Sequence, residues 1–396
     1  MLPMRLSGGK KLIAKNKKQK DKIEGSVFLM KRHKKTWRAA TAVVLSVAML
    51  GTLAGCGGGG GGGSASSEGD VLSVEGGFQG QIDAWSAYYA TNTDPSIQEK
   101  YGIDMKMQYF DSGMPMVQTV PANQLAIMSN GSVPTLMSAL RYDTPIVGIS
   151  SNESRANAVL ARPDDNVFKT KNENGTFGSA ADLKGKTILT TTVSTGTYTL
   201  SKYLESLGLT EADVTVKNLE QAQAIAAFES GEGDYLVLWA PFLYTGYEKG
   251  WKEVANAEQV GAECLMLWVA DPKLAKEDPE AVARLLAMVD EGATKFNKDG
   301  KKLAPEISAF FTDWAAMNVS EDDAALDIES HDIYSLEDQL KMMESGELLK
   351  AMQGTAAYFE GQGKYTPEDV KKLEEKGYCI DSSFLEKAIE VRDAKA

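Results

Sequence analysis

The sequence contains little histidine and little cysteine. Its 396 residues include two histidines, His33 and His331, and three cysteines, Cys56, Cys264 and Cys379. A structural zinc site takes four Cys or His ligands, and a Ser-His-Asp hydrolase needs a histidine as its base. This inventory argues against both classes, and we expect neither a metal nor a cofactor.

Basic residues are scarce after the first 55 positions. Residues 1–55 hold 13 of the 42 lysines and arginines but only two of the 55 acidic residues, so 29 basic and 53 acidic residues follow, a formal net charge of −24. Proteins that bind nucleic acids neutralise phosphates with lysine and arginine. We therefore expect no nucleic-acid partner.

Apolar runs long enough to cross a membrane are missing as well. The run at residues 39–53 is shorter than the ~20 residues that a spanning helix needs, and a basic stretch at residues 30–35 precedes it. This order is typical of an export signal. We therefore predict an export signal within residues 1–55 and favour Met30 as the true first residue of the protein.

The signal ends at Leu53-Ala54-Gly55-Cys56, which resembles the bacterial lipobox. In that family the cysteine thiol receives a lipid and becomes the first residue of the mature protein. We therefore expect lipidation at Cys56; the alternative is an ordinary cysteine after a signal peptide. Seven glycines follow, and residues 56–70 predict a flexible tether at the outer face of the cytoplasmic membrane.

The body begins at Val71, and its strand-like and helix-like segments alternate, which predicts an α/β fold. The length of the chain predicts two or three domains, at ~150 residues each. Four strand-like segments run directly into a helix start that is rich in Ser, Thr, Gly or Pro. They are residues 104–110 before Ser112-Gly113, residues 124–128 before Gly131-Ser132, residues 187–191 before residues 194–197, and residues 235–239 before Ala240-Pro241.

These helix starts have two interpretations. Ser and Thr accept hydrogen bonds from the first free N–H groups of a helix, so each one can be an ordinary cap. However, the carboxyl ends of parallel strands face one crevice, and helix N-termini carry a partial positive charge, so several of them together favour an anion. The second interpretation predicts a site for a small oxyanion: a sulfonate, phosphonate, carboxylate or nitrate.

An ordered set of segments carries a family resemblance. Residues 182–186, 194–198, 208–209, 213–219, 227–234 and 239–241 follow one another in an order that resembles the solute-binding proteins of nitrate, sulfonate and taurine ABC importers. Residues 110–113, 258–261, 268–269 and 278–280 are similar to the taurine-binding branch in particular. The resemblance extends from about Val74 to the C-terminus and weakens after Asp299.

The resemblance implies a two-lobed periplasmic-binding-protein type II fold, in which two hinge strands cross between two α/β lobes. It places the crossings near residues 155–162 and 263–270, lobe one at residues 71–154 and 266–396, and lobe two at residues 157–262. Segments 279–296, 304–314, 346–358 and 383–391 should pack around lobe one as helices. Carried over by position, the ligand-binding residues are Ser112, Gly113, Gly131, Ser132, Ser194, Thr195, Thr197, Trp239 and Trp268.

Three positions depart from the family pattern. Residues 81–86 stand where the family usually has a Gly-Pro pair, Thr197 stands where taurine binders tend to have His, and Met266 stands where they carry an acid. An acid at that last place would be the natural partner of the ammonium group of taurine. Asp83, Asp111 and Glu263 are the candidates for this role in the present chain.

The resemblance implies a receptor that closes on a small anionic solute, sulfonate-like or taurine-like, and delivers it to ABC permease and ATPase subunits. We expect a monomer that is not an enzyme. Nitrate and thiamine-precursor pyrimidines are the alternative ligands, and an enzyme or a sensor on the same fold is the alternative class. Cys264 and Cys379 either form a disulfide or stay free, and His331 is predicted to be a solvated helix residue.

Overall fold

The computed structural model describes residues 71–361 and 363–396 of the chain. The predicted signal segment, the lipidation site at Cys56 and the tether all lie outside these residues. Within the described part, no helix has both the length and the apolar character that crossing a membrane requires.

Two sheets organise the described chain. Their strands are β1 (Leu72–Gln79), β2 (Ile103–Phe110), β3 (Ile127–Gly131), β4 (Ile146–Asn152), β5 (Asn157–Ala161), β6 (Thr187–Thr190), β7 (Thr215–Asn218), β8 (Tyr235–Trp239), β9 (Lys252–Asn256), β10 (Leu265–Ala270) and β11 (Asp332–Ile333). Sheet one has the order β11-β4-β10-β3-β1-β2, and sheet two has the order β7-β6-β8-β5-β9. We call the part of the chain around sheet one lobe one, and the part around sheet two lobe two.

Helices cover the faces of both sheets. They are α1 (Ala84–Tyr88), α2 (Ser96–Tyr101), α3 (Gly113–Thr119), α4 (Ser132–Tyr142), α5 (Ala180–Leu183), α6 (Thr195–Ser206), α7 (Gln221–Glu229), α8 (Phe242–Glu248), α9 (Ala257–Val260), α10 (Pro272–Glu277), α11 (Pro279–Asp299), α12 (Ala304–Asp313), α13 (Glu321–Ser330), α14 (Leu336–Glu344), α15 (Glu347–Gly361), α16 (Pro367–Glu375) and α17 (Ser383–Asp393). The four helices predicted near the C-terminus correspond to α11, α12, α15 and α17, whereas α13, α14 and α16 were not predicted.

The longest of these predicted helices, α11, shows why the sequence folds as it does. Asp278 caps its start by accepting a hydrogen bond from Ala281 N at 3.0 Å, and Pro279 occupies the first helical position, where its missing N–H costs nothing. The helix ends before Gly300, which has a positive φ of 51°. Its apolar face, which includes Leu285 and Leu286, is fully buried in the core of lobe one.

Parallel pairing brings strand ends to one edge of each sheet. In sheet one, β1 pairs in parallel with β2 and with β3, and in sheet two β6 pairs in parallel with β7 and with β8. The carboxyl ends of these strands therefore lie on one edge of their sheet, where the crevice of an open α/β sheet is found. The helices that follow them, α3 and α4 in lobe one and α6 in lobe two, begin at that edge.

The chain passes between the sheets twice, at residues 153–156 and 261–264. The two passages are held together, because Glu153 N donates to Cys264 O at 2.9 Å and Cys264 N donates to Ser154 Oγ at 2.9 Å. The predicted crossings at residues 155–162 and 263–270 reached further along the chain. In the structure, β5 belongs entirely to sheet two and β10 belongs entirely to sheet one.

Candidate ligand-binding cleft

The helix starts of the two lobes meet across a cleft. A Cβ atom placed on Gly131, just before α4, would lie 3.2 Å from Thr195 Cγ2 at the start of α6. Further along the cleft, Ser112 Oγ before α3 donates to Glu220 Oε1 before α7 at 3.4 Å. Of the predicted residues, Gly131 of lobe one and Thr195 of lobe two therefore lie beside each other, and Ser112 lies beside Glu220, which was not predicted.

The start of α4 has no cap from its own chain. Its N-cap residue is Gly131, and no side chain accepts a hydrogen bond from the first turn. The first N–H groups of a helix have no partner inside the helix, and Pro134 in this turn has no N–H at all. The hydroxyl of Ser132 is buried and has no hydrogen-bond partner in the described chain. The backbone N–H groups of Ser132 and Val133, together with this hydroxyl, are thus suited to an outside acceptor.

The start of α6 is capped by its own side chains. Ser194 Oγ accepts from Thr197 N at 3.2 Å and donates to Thr191 O at 2.6 Å. Thr197 Oγ1 donates to the same carbonyl oxygen at 2.8 Å. Ser194 and Thr197 therefore use their hydroxyl protons inside the protein, which is what ordinary caps do.

Thr195 joins α6 to a carboxylate that the sequence reasoning missed. Its Oγ1 donates to Glu153 Oε1 at 2.7 Å and accepts from Asn157 Nδ2 at 3.0 Å. On the other side, Gln81 Nε2 of lobe one donates to Glu153 Oε2 at 2.7 Å. Glu153 lies in the first passage between the sheets, and its side chain thus connects both lobes.

Two buried carboxylates lie near this end of the cleft. Glu153 is 1% exposed, and burial raises its pKa to about 7 against the opposing effect of the Thr195 hydrogen bond. Asp83, one of the three predicted acids, accepts hydrogen bonds from Ser129 and Ser150 in lobe one, and burial raises its pKa as well. The other two candidates, Asp111 and Glu263, are both exposed.

The prediction for His331 was wrong, because this residue is buried at the end of α13. Its Nδ1 lies 3.0 Å from Asp327 O and 3.2 Å from Asp327 Oδ1. Burial lowers the pKa of His331, but the charge and hydrogen bonds of Asp327 outweigh it and raise the pKa to about 9. The ring also borders a cavity of about 830 Å³ in lobe one, which contains none of the predicted site residues.

Contacts outside the cleft also join the lobes. Tyr244 OH on α8 donates to Asp327 Oδ1 on α13 at 2.8 Å, with both side chains buried. In a second contact, the rings of Tyr198 on α6 and Tyr358 on α15 have their centroids 5.4 Å apart. Tyr358 OH also donates to Glu211 at 3.3 Å.

The two predicted tryptophans differ in position. Trp239 ends β8 in lobe two, and its Cε3 would lie 3.4 Å from a Cβ atom on Gly196, so the indole packs against the first turn of α6. Trp268 lies in the middle of β10, between Ser129 and Gly148 of the neighbouring strands, and is buried within lobe one. It is therefore not in a crossing segment, where the sequence reasoning had placed it.

The described residues offer no set of ligands for a metal ion. No group of three or more His, Cys, Asp or Glu side chains within the described residues is arranged to hold a metal ion.

Cys264 and Cys379 are both free thiols, so the open question about their pairing is answered. Cys264 is buried at the end of the second passage, and burial raises its thiol pKa.

Comparison with solved structures identifies the class of fold. The aliphatic sulphonate-binding protein SsuA from Escherichia coli superposes with a TM-score of 0.61 at 16% identity, over 76% of this chain and 91% of that protein. A desulfurization enzyme, DSZB, superposes with a TM-score of 0.56 at 16% identity, over 81% of this chain and 99% of the enzyme. The two sheets and their crossings form the two-lobed periplasmic-binding-protein fold that the sequence predicted.

The comparison of sequences identifies the family. A family profile described as NMT1/THI5 like matches residues 99–299, half of the chain, and the protein belongs to that family. An aliphatic sulfonates-binding protein of Bacillus subtilis is 26% identical over 360 residues, which cover 88% of this chain and 96% of the relative. The taurine-binding periplasmic protein of Escherichia coli is 26% identical over 217 residues, which cover 52% of this chain and 64% of that relative.

Proposed function

We propose that the protein is the extracytoplasmic solute receptor of an ABC importer, and that it binds a small organic oxyanion of the sulfonate class in the cleft between the lobes. The observation that carries the proposal is the uncapped start of α4, which faces Thr195 of the other lobe. Free helix N–H groups and a positive dipole end form a ready site for an anion. The sulfonate-binding names of the relatives support this choice.

The proposed site uses neutral donors instead of a basic side chain. Among the described residues, no lysine or arginine is buried. Fixed N–H groups hold an anion over short distances without a full opposite charge, which suits a solute that must be released again to a permease. Closure of the two lobes covers the solute at the α4 start, because Thr195 of lobe two lies opposite Gly131.

A receptor fits the cleft better than an enzyme of the same fold. A nucleophilic cysteine acts as a thiolate in a partly exposed, electropositive environment. Cys264 is instead fully buried, and burial raises its pKa. The Nδ1 atom of His331 is held by Asp327. The described cleft therefore offers no activated nucleophile beside the α4 start.

An aminopyrimidine is the second candidate ligand, and Glu153 favours it. A buried carboxylate beside the Gln81 amide presents hydrogen-bond acceptors that match the amino group and a protonated ring nitrogen of such a base. Nitrate is a weaker candidate because it carries no donor for these acceptors.

Isothermal calorimetry with alkanesulfonates tests the proposal on the Ser132→Pro variant. Proline is tolerated at the first helical position, and Gly131, with ψ 153°, has the extended conformation that a residue before proline prefers. The variant keeps α4 but removes the N–H and hydroxyl donors of Ser132. We expect at least a roughly tenfold loss of affinity, the usual scale for hydrogen bonds to a charged group.

Two control variants help to interpret the affinity loss expected for Ser132→Pro. Ser132→Ala removes only the hydroxyl and should lose less affinity, whereas Ser194→Ala should keep affinity because Ser194 bonds to its own helix and to Thr191. Unchanged sulfonate affinity in the proline variant would contradict an anion site at α4. Failure of the wild-type protein to bind any sulfonate would contradict the ligand class.

The membrane part of the proposal concerns residues outside the described chain. We propose that a lipid on Cys56 and the tether at residues 56–70 hold the receptor beside its permease and ATPase subunits at the outer face of the cytoplasmic membrane. Cys56→Ala should release the protein from washed membranes into the soluble fraction. A variant that still sediments entirely with carbonate-washed membranes would contradict lipid anchoring.

A further inference from the structure

A large cavity of lobe one lies outside the cleft. It has a volume of about 830 Å³, and its walls come from the last turns of α11 and α13, from β11, from α14 and from the start of α15. Small-molecule sites in proteins usually have volumes of roughly 300–1,000 Å³. The cavity is therefore large enough to hold a small organic molecule of its own.

Part of the cavity wall is apolar. Phe296, Ile328 and Ile333 border the cavity and are buried, and Met342 of the same wall is half-buried. Ligand pockets are lined mainly by such side chains, which remove the hydrocarbon part of a ligand from water. This wall suits a molecule with a substantial apolar part.

One buried polar side chain belongs to the same wall. His331 is 5% exposed and borders the cavity. Its Nδ1 lies 3.0 Å from Asp327 O, and because a carbonyl oxygen only accepts, Nδ1 is the donor. Within the described residues the hydrogen bonds of this ring are confined to Nδ1. Its Nε2 is thus left for a molecule in the cavity.

The positive charges at the cavity favour a negative ligand group. Burial lowers the pKa of His331, but the charge and hydrogen bonds of Asp327 outweigh burial and raise the pKa to about 9. The ring is therefore charged near neutral pH, and Nε2 is then a donor. Lys341 also borders the cavity, and within the described residues no carboxylate lies within ion-pair distance of its Nζ.

The acidic residues at the cavity limit the charge of such a ligand. Asp332 is paired with Arg155, whose two terminal nitrogens donate to it at 3.1 and 2.9 Å. Asp338 and Glu347 are exposed and have no cationic partner in the described part of the chain. These two carboxylates would repel a second negative charge. We therefore expect a ligand with one acid group and not two.

We propose that this cavity is a second ligand site, separate from the cleft, for an amphipathic monocarboxylate whose acid group accepts a hydrogen bond from His331 Nε2 and whose hydrocarbon part lies on the apolar wall. The proposal does not depend on which solute binds in the cleft. Because His331 and Tyr244 of lobe two share the Asp327 carboxylate, the ligand would bond to the network that joins the lobes.

A titration followed by NMR of methionine methyl groups tests the site and locates it. Met342 borders the cavity, whereas Met266 Sδ lies 3.8 Å from the Gly131 position in the cleft. We expect 4-phenylbutyrate and octanoate to shift the Met342 signal and not the Met266 signal. The neutral 4-phenylbutyramide should bind at least roughly tenfold more weakly, the scale of a hydrogen bond between charged groups. Phenylsuccinate, which has two acid groups, should also bind more weakly.

Two variants remove the site by different routes. His331→Asn keeps an amide donor near the place of Nδ1 and lacks Nε2, so we expect at least a roughly tenfold loss of 4-phenylbutyrate affinity. Thr294→Trp fills the cavity from an exposed position of α11 and leaves His331 in place, so it should abolish binding even if His331→Asn fails to fold.

A matched pair of lysine variants tests the second positive charge. Lys341→Gln should weaken 4-phenylbutyrate several-fold, whereas Lys298→Gln makes the same change on an exposed residue of α11 outside the cavity and should leave affinity intact.

Three results would overturn the proposal. The first is an unchanged Met342 signal with both carboxylates at millimolar concentration, and the second is equal binding of 4-phenylbutyrate and its amide. The third is unchanged affinity in both His331→Asn and Thr294→Trp. Binding at Met342 should persist in Ser132→Pro, and its loss there would show that the site is not separate from the cleft.

Discussion

The helix starts of the two lobes look alike in sequence but differ in the structure. Both follow a buried strand and contain Ser or Thr, yet α6 is capped by Ser194, whose Oγ accepts from Thr197 N, whereas α4 has no side-chain cap. The reason is local. A serine at the N-cap can accept from its own helix, but Gly131 at the same position has no side chain. The comparison teaches that a glycine N-cap leaves helix donors open to a ligand, whereas a serine N-cap satisfies one of them.

We expect pH to have the largest effect on stability, because Thr195 at the start of α6 bonds to the titratable side chain of Glu153. The folded protein holds a proton on Glu153 up to pH ~7, while the unfolded chain releases it near 4.5, so stability falls as pH rises between these values. His331 adds stability that is fully present below pH ~6.5 and is lost as pH rises through 9. Thermal melts should show a decreasing Tm from pH 5 to pH 9.

The controls for this pH effect must consider the other titratable groups around Glu153, namely Asp83, Cys264, Asp327 and His331. Glu153→Gln should flatten the decrease between pH 5 and 7 and leave the decrease between pH 7 and 9. A Tm that rises from pH 5 to 7 equally in both proteins would show that Glu153 does not titrate in this window.

Thr195→Val should have the next largest effect. It removes the hydroxyl between Asn157 and Glu153 at nearly constant volume and leaves a buried carboxylate oxygen with one donor fewer. We expect a loss of about 2–3 kcal/mol in the free energy of unfolding, measured by urea denaturation. Thr190→Val is the matched control, because the Thr190 hydroxyl is buried without a partner in the described chain and its removal should cost nothing. Equal losses in the two variants would refute the role of the Thr195 hydroxyl.

Ser194→Ala should cost about 1 kcal/mol of stability, the usual cost of a lost N-cap. Because Ser194 bonds to Thr197 N and Thr191 O, its effect on ligand affinity should be small. Denaturation and calorimetry on the same preparation measure both quantities. A large affinity loss without a stability loss would make α6 a ligand site in its own right.

Ser132→Ala should have the smallest effect on stability, within about 0.5 kcal/mol, because its buried hydroxyl loses no partner within the described residues. It should change affinity instead, which is the reverse of Ser194→Ala. A stability loss of about 1 kcal/mol would show that the α4 start is capped after all and would remove the contrast between the lobes.

The sequence predicted the fold well because the fold depends on patterns that repeat. Alternating strands and helices, caps after strands and an ordered family resemblance all indicate two α/β lobes. Helices α13, α14 and α16 escaped prediction, although α12, α15 and α17 of the same stretch were predicted. Their positions depend on packing against lobe one rather than on a family motif.

The site was predicted less completely, because its chemistry depends on single residues. Glu153 stands alone in the polar segment 152–155, and no spacing rule distinguishes it from a surface glutamate. His331 was misjudged because its acidic neighbours suggested solvent, whereas Asp327, four residues earlier, turns inward with it. The start of α4 could have been distinguished from that of α6 by its glycine N-cap and by Pro134.

The hydrogen bond between Tyr244 and Asp327 has a consequence for affinity, although it lies outside the cleft. In a two-lobed receptor that closes on its solute, the apparent dissociation constant equals the intrinsic one divided by the fraction of closed molecules. In the proposed receptor, the bond between Tyr244 and Asp327 joins the two lobes and would favour the closed state. Natural variation at Tyr244 or Asp327 can therefore tune the solute concentration at which the receptor fills, while every residue that touches the solute stays the same.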